Sequence, residues 1–155
     1  MPIKSFRGQL ANNKVATIHL ITNNGSTGYK IVKFEVFPQK PGDSTAESLF
    51  EVFTIKSSAD AFIAAASENV DFSDNTLLAV GFVGASTNNT QLAPIPSVVF
   101  DNVTFNQDIY VAYRDVSDSQ SPANYHLELE TIKLDLNENT VATLKDIRNI
   151  EASSV

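Results

Sequence analysis

The side chains in this sequence best suited to chemistry are its two histidines and a few closely spaced carboxylates. His126, Glu128 and Glu130 alternate with apolar residues, so they lie on one face of a predicted strand. An imidazole and two carboxylates on one face can bind a metal ion. A polar face whose charges pair with a neighbouring strand is the more common arrangement, and we favour it here. The second histidine, His19, lies within another predicted strand.

Two pairs of aspartates lie in segments typical of turns. Asp71 is followed by Asp74 in a segment with Ser and Asn, and Asp115 by Asp118 in a segment rich in Ser. Oxygen-rich loops of this kind can bind calcium, although neither segment has the glycine and terminal glutamate of an EF-hand loop. The alternative is turn capping by the short polar side chains. Each pair could also be the two catalytic carboxyl groups of a glycosidase. Spacing in the sequence does not distinguish such a pair from ordinary surface carboxylates.

Sequence motifs that would organise an active site are missing. The chain has no Gly-x-Ser-x-Gly elbow, no phosphate-binding Walker loop and no Gly-x-Gly-x-x-Gly run. It has no cysteine, which excludes thiolate nucleophiles, thiolate zinc sites and disulfides. We therefore predict that the protein is not an enzyme, and we assign no catalytic, cofactor-binding or metal-binding residue.

Composition and charge limit the classes of partner. The 155 residues suit one domain, and the apolar fraction of 43% is that of a globular protein. The net charge of −7, with 11 scattered Lys and Arg, argues against direct binding to nucleic acid. No run approaches the roughly 20 apolar residues that cross a bilayer. The first residues lack the apolar core of a signal peptide, which predicts synthesis in the cytoplasm without secretion.

Hydrophobic periodicity predicts a mainly β chain that forms a single domain over residues 1–155. The predicted strands are 4–10, 14–22, 29–37, 49–55, 76–83, 98–100, 108–114 and 124–136. The first two are expected to form an N-terminal hairpin or arm within residues 1–27. The strand at 49–55 is apolar on both faces, which predicts a central position in a sheet. Together these strands predict an antiparallel β-sandwich or jelly-roll-like fold.

The last predicted strand contains an irregularity. Tyr125, Leu127 and Leu129 have one parity, whereas Ile132 and the leucines after it have the other. A β-bulge near Glu130 and Thr131 would keep all of them on one face.

Two helical segments and one long loop complete the prediction. Residues 59–67 predict one or two helical turns in a surface connector, and residues 84–96 predict an irregular stretch. After residue 136 the period changes to that of a helix, with Val141, Leu144, Ile147 and Ile150 on one stripe. A short amphipathic C-terminal helix is therefore expected within residues 137–151.

Several strings of the sequence resemble a family of small proteins encoded by marine tailed bacteriophages, over the span from Gly28 to Asn149. They are GYKIVKF (28–34), FSDNTLLA (72–79), VFD (99–101), FNQDIYV (105–111), NYHLELE (124–130) and LNENTVATLKDIRN (136–149). The resemblance implies a phage setting and a role as a virion component, and it brings no catalytic residues.

Within that setting, a small acidic β domain is expected to be a capsid decoration or cement protein. It would stabilise the shell by contacts with the major capsid protein or other virion proteins, and it would be homo-oligomeric and located in the virion. The alternative is a tail or fibre component that binds a host-surface glycan or receptor. Both expectations rest on analogy with other virion proteins, since a fold by itself does not establish a function.

Overall fold

The computed structural model describes residues 2–20, 27–40, 47–64, 70–85, 92–100, 103–116 and 121–134. These ranges form eight strands and one helix. In chain order they are β1 (Ile3–Leu10), β2 (Lys14–Ile18), β3 (Thr27–Pro38), β4 (Ser48–Phe53), α1 (Lys56–Ala64), β5 (Leu77–Ala85), β6 (Leu92–Val99), β7 (Ile109–Asp115) and β8 (Ala123–Lys133). No helix within these ranges is long and apolar enough to cross a membrane. The predicted C-terminal helix at 137–151 lies outside the described residues.

The strands form two antiparallel sheets. One sheet has three strands in the order β1-β8-β3, and the other has five in the order β2-β7-β4-β5-β6. Alternate apolar side chains of both sheets meet in one buried cluster, which includes Phe34 and Leu127 from the first sheet and Phe50 and Val111 from the second. The prediction of a mainly β, antiparallel sandwich is therefore confirmed.

The central strand β4 is buried along its whole length. It lies between β7 and β5 in the larger sheet. One of its faces points into the sandwich, and its other face packs under α1, which contributes the buried residues Ala59 and Phe62. The predicted central position of this strand is confirmed, and α1 is part of the packing rather than a surface connector.

The predicted N-terminal hairpin is wrong, although both of its strands form. β1 pairs with β8, whereas β2 pairs with β7 in the opposite sheet. The chain turns at Asn12 and Asn13, where Asn13 has a φ of 60°, and the Asn12 side chain accepts a hydrogen bond from the backbone N–H of Asp115. The turn therefore forms a corner between the sheets, so that Phe6 and Leu10 reach the same core as Ile18 from the opposite sheet.

The predicted bulge near Glu130 is also wrong, because the irregularity lies in the partner strand. The register between β3 and β8 shifts between Ile31 and Lys33, which leaves Val32 as an extra residue. β8 itself pairs with β1 without interruption. Past Leu129 the apolar residues change face, and buried Leu134 lies 2.9 Å from the position that a Cβ on Gly28 would occupy.

A further difference concerns the long loop predicted at 84–96. The structure places strand β6 at Leu92–Val99, so its first part lies inside the predicted loop. This segment contains Pro94 and Pro96, which argue against a central strand. β6 satisfies that rule because it is the last strand of its sheet.

The two sheets approach each other closely at Gly81, and its substitution tests the packing. A Cβ at this position would lie 2.8 Å from a methyl group of Val36 and 3.2 Å from the ring of Phe34. We expect Gly81→Ala to lower the free energy of unfolding by about 1–3 kcal/mol through overpacking. Urea denaturation measures this loss. The double variant Gly81→Ala/Val36→Ala should recover part of it, and strictly additive effects would contradict the assigned contact.

Candidate functional site

The three-stranded sheet has one face in the core and one face directed outward. We call the outward side chains of β1, β8 and β3 the open face. Its members are Ile3, Ser5, Arg7 and Gln9 from β1, Asn124, His126, Glu128 and Glu130 from β8, and Lys30, Val32, Lys33, Glu35 and Phe37 from β3. Three of its large apolar side chains are exposed, namely Phe37 at 60%, Ile3 at 50% and Val32 at 42%.

Charges on the open face pair across the strands. His126 lies between two carboxylates, with its Nδ1 3.5 Å from an oxygen of Glu35 and its Nε2 3.9 Å from an oxygen of Glu128. The Nζ of Lys33 lies 3.1 Å from Glu35, and the hydrogen bond between them lowers the pKa of the Glu35 carboxyl and raises that of the Lys33 ammonium. Lys30 pairs with Glu130 at 3.5 Å.

The predicted row of His126, Glu128 and Glu130 thus lies on one face, and the structure shows how its charges are used. Each of the three side chains has a partner of opposite or complementary charge on the open face. Among the residues that the structure describes, no group of three His, Cys, Asp or Glu side chains could hold a metal ion. Cross-strand charge pairing is the arrangement that we favoured from the sequence.

One end of the open face forms a concavity of about 740 Å³. Its outward side chains are Arg7, Glu35, Phe37, Asn124 and His126, and the strand backbones form its floor. Gln9 donates a hydrogen bond to the side chain of Asn124 at 3.1 Å beside it. An exposed aromatic ring, a guanidinium group and an amide side chain can together stack on, charge-pair with and hydrogen-bond a ligand.

The aspartates at 71 and 74 cap their own turn. One oxygen of Asp71 accepts hydrogen bonds from the backbone N–H and the hydroxyl of Ser73, at 2.9 and 2.5 Å, which lower the pKa of the Asp71 carboxyl. Asp74 accepts equivalent bonds from Thr76 at 2.9 and 2.6 Å. These are the turn-capping interactions that compete with cation binding as an explanation of the pair.

The other predicted site residues also have structural partners. Buried Asp115 accepts hydrogen bonds from the backbone N–H of Ser121 at 3.0 Å and of Glu47 at 3.4 Å, and so joins two loops at the end of β7. Asp118 lies outside the described residues. Exposed His19 pairs with Asp108 at 3.2 Å, and the other Asp108 oxygen accepts the backbone N–H of Leu20 at 2.7 Å.

Sequence reasoning missed Glu51, which is the buried carboxyl most strongly shifted in pKa. Glu51 is only 3% exposed on the α1-covered face of β4, between Val80 and Ala112 on the neighbouring strands. Burial raises its pKa from the ordinary 4.5 to about 7, and the nearby charges of Asp74 and Asp71 add to the shift. The signal was present in the sequence, since a strand predicted to be buried on both faces must bury its single glutamate.

A carboxyl that titrates near neutral pH has the acidity required of a general acid or base. Geometry limits that role at Glu51, because the side chain lies among packed apolar residues beneath a helix. Burial accounts for the shift, and a perturbed pKa can arise from structure alone. We therefore expect Glu51 to affect the pH dependence of stability and not to act as an acid or base.

Comparison with known proteins gives no family for this chain. Neither protein-family models nor curated proteins match it. Among solved structures it is similar to the Drosophila NLP core, which is described as providing insight into pentamer formation and histone binding, with a TM-score of 0.45 and 12% sequence identity. The similarity covers 86% of this chain and 100% of that chain. A similarity this distant carries no inference about function.

Replacing Glu51 by glutamine tests its burial. Because the folded state holds the proton more tightly than the unfolded state, the wild-type free energy of unfolding should fall as pH rises from about 4.5 to about 7. We expect Glu51→Gln to match wild type at pH 4 and to be more stable at pH 8, by on the order of 2 kcal/mol. Urea denaturation at the two pH values measures the difference.

Glu35→Gln is the matched control for this prediction. The Glu35 pKa is shifted downward by Lys33, so this variant should gain no stability at pH 8. Equal pH dependence of wild type and Glu51→Gln would contradict the proposed titration of Glu51.

Proposed function

We propose that this protein is a non-enzymatic structural protein of a tailed phage virion, acting as a capsid decoration protein. The resemblance described above supports the phage setting. The observation that carries the structural role is the open face, where exposed apolar side chains lie among charges that are already paired. Protein interfaces combine a few apolar and aromatic anchors with a polar surround of this kind.

The uses of the polar side chains support the absence of catalysis in this proposal. The described aspartates that could form acid pairs cap turns or join loops. Both histidines pair with carboxylates at the surface. In these positions the groups stabilise turns, strand ends and a sheet surface.

A decoration protein acts by mass action. A protein that binds the assembled shell and not its separated subunits stabilises the shell by the free energy of that binding. The free protein in this proposal is a homo-oligomer, which would place several open faces near one another and increase the effective concentration of each contact.

Purified particles test the proposed role. We expect mass spectrometry to find the protein in many copies per particle, and particles stripped of it to release their DNA at a lower temperature. Adding back wild-type protein should restore the original temperature, whereas Ile3→Ser/Phe37→Ser should not. Phe72→Ser is the control, because Phe72 is similarly exposed at 55% but lies outside the open face. An inventory of particles that lacks the protein would contradict the proposal.

The concavity favours a second candidate, a tail or fibre component that binds a host-surface glycan. Phe37 offers an exposed ring for the apolar face of a sugar, and Arg7, Asn124 and Glu35 surround it with hydrogen-bonding groups. Small-molecule sites commonly combine apolar or aromatic surface with a few placed polar groups. Copy number separates the two candidates, because a tail component is present in few copies and a shell component in many.

Binding to polysaccharide purified from the host surface tests this second candidate. Phe37→Ala and Asn124→Ala should each weaken binding by about tenfold or more, as expected for a contact central to an interface. Calorimetric titration measures the change, with Phe72→Ala as the control for loss of an exposed ring. Undetectable binding by the wild-type protein would remove the candidate.

A further inference from the structure

The two sheets together have four edge strands, namely β1 and β3 in the smaller sheet and β2 and β6 in the larger. An edge strand presents unpaired backbone groups that can pair with another chain, and proteins usually block such edges. Three of the four edges carry a recognisable block. β3 has its bulge at Val32 and a bridge from Tyr29 to Phe105, β6 contains two prolines, and β2 has only five residues.

β1 carries none of these three blocks, although its charged side chains Lys4 and Arg7 are of a kind that discourages non-specific pairing. It is eight residues long, it contains no proline, and its register with β8 is continuous from Ile3 to Leu10. In the described part of the chain, no strand pairs with its other side. β1 is thus the one described edge long and regular enough to accept a further strand.

Hydrogen-bond alternation identifies the groups that such a strand would meet. The backbone N–H of Thr131 donates to the carbonyl of Pro2 at 3.0 Å, so the alternate residues Lys4, Phe6, Gly8 and Leu10 bond to β8. The backbone N–H and C=O groups of Ile3, Ser5, Arg7 and Gln9 therefore point toward the free edge. They offer four donors and four acceptors in register.

Charge along this edge favours an acidic partner. Strands β1 and β2 contain three of the 11 Lys and Arg and none of the 18 Asp and Glu. Lys4 and Arg7 lie on β1, and Lys14 begins the neighbouring edge β2. Two carboxylates of β8 lie opposite β1 on the open face, and both have partners: Glu130 lies 3.5 Å from Lys30, and Glu128 lies 3.9 Å from His126. This pairing reduces their effect on an approaching anion.

The apolar contacts of β1 favour a partner segment in which apolar and polar residues alternate. Phe6 and Leu10 pack on the core from β1 but are only partly buried, because no described strand lies beyond them. Side chains of an added strand would alternate between this apolar side and the open face that carries Arg7. Lys4 also lies on the first side, with its ammonium group 5.5 Å from the ring centroid of Tyr29. Apolar residues beside Phe6 and Leu10, and carboxylates beside Arg7 on the open face, would match the two sides.

We propose that β1 is a docking edge for an extended segment of another virion protein, in which acidic and apolar residues alternate, and that this segment joins the smaller sheet as a fourth strand. Main-chain hydrogen bonds would provide the attachment, and the side chains would provide the selection. That the partner is a virion protein rests on the proposed function. The backbone groups and charges that would bind the segment are features of the structure and do not depend on that proposal.

A synthetic eight-residue peptide of alternating Glu and Val tests the edge directly. We expect it to bind wild-type protein and to slow hydrogen exchange at the amides of Ser5, Arg7 and Gln9, as measured by NMR. Ser5→Pro removes a free-edge donor while leaving the bonds to β8 in place, and it should weaken binding by about tenfold or more. Ser5→Thr keeps the donor and should bind like wild type.

A second pair of variants tests the charge. Arg7→Glu should weaken binding of the acidic peptide and strengthen binding of a Lys and Val peptide. Lys133→Glu makes the same charge change beyond the end of β1 and should leave both unchanged. The proposal is overturned if the acidic peptide fails to bind wild type, or if Ser5→Pro binds it normally. It is also overturned if sedimentation shows a dimer of wild type that Ser5→Pro abolishes, since a second copy would then occupy the edge.

The peptide-binding experiment and the inventory of particle proteins can fail independently of each other. If the peptide binds as expected but purified particles lack the protein, the docking edge stands and the virion role falls. If particles contain the protein but the peptide does not bind, the virion role stands and the docking edge falls.

Discussion

Phe50 lies at the centre of the sandwich, and the spacing of the two sheets depends on the row of residues around it. Its neighbours across the larger sheet are Tyr113, which stacks on it at 4.6 Å between ring centroids, and Gly81, which has no side chain. Phe34 and Tyr125 of the smaller sheet pack on Phe50 at 6.3 and 6.0 Å. The rings of Phe50 and Tyr113 thus fill one part of this row. Gly81 leaves space in the other part, and Val36 of β3 occupies that space. Close-packed interiors allow little change in either part.

The unequal sizes of the sheets decide which polar groups are buried. The larger sheet is covered on its second face by α1, and the smaller sheet leaves its second face open. Glu51 and Glu35 show the consequence, because they are the same residue type on strands of the same sandwich. Burial raises the pKa of the Glu51 carboxyl, whereas a lysine partner lowers that of Glu35. The environment of each face, more than the residue itself, sets its electrostatic behaviour.

Much of the fold could be predicted from the sequence, because strand alternation is a local signal. The central strand β4 and the shared face of His126, Glu128 and Glu130 follow from period-two patterns, and strand β5 follows from a nearly continuous apolar run. Strand partners are not local, and the hairpin prediction failed for that reason. The bulge prediction failed similarly, because residues beyond Leu129 were assumed to keep one buried face. Glu51 was predictable in principle from its place in a two-sided strand, but the shift of its pKa by Asp71 and Asp74 depends on tertiary proximity.

The failed hairpin and the free edge of β1 have one physical cause. If β1 and β2 had paired with each other, each would have covered the edge of the other. Because the turn at Asn12 and Asn13 sends them to opposite sheets, each becomes an edge strand instead. The gain is that Phe6, Leu10 and Ile18 all reach the core, and the cost is a row of backbone groups on β1 with which no strand in the described part of the chain pairs. Without proline or bulge, this edge is protected from non-specific pairing by its charged side chains Lys4 and Arg7, and it keeps the backbone groups needed to pair with a complementary strand. The three positive side chains on β1 and β2, with no carboxylate on either strand, favour an acidic partner in a protein of net charge −7.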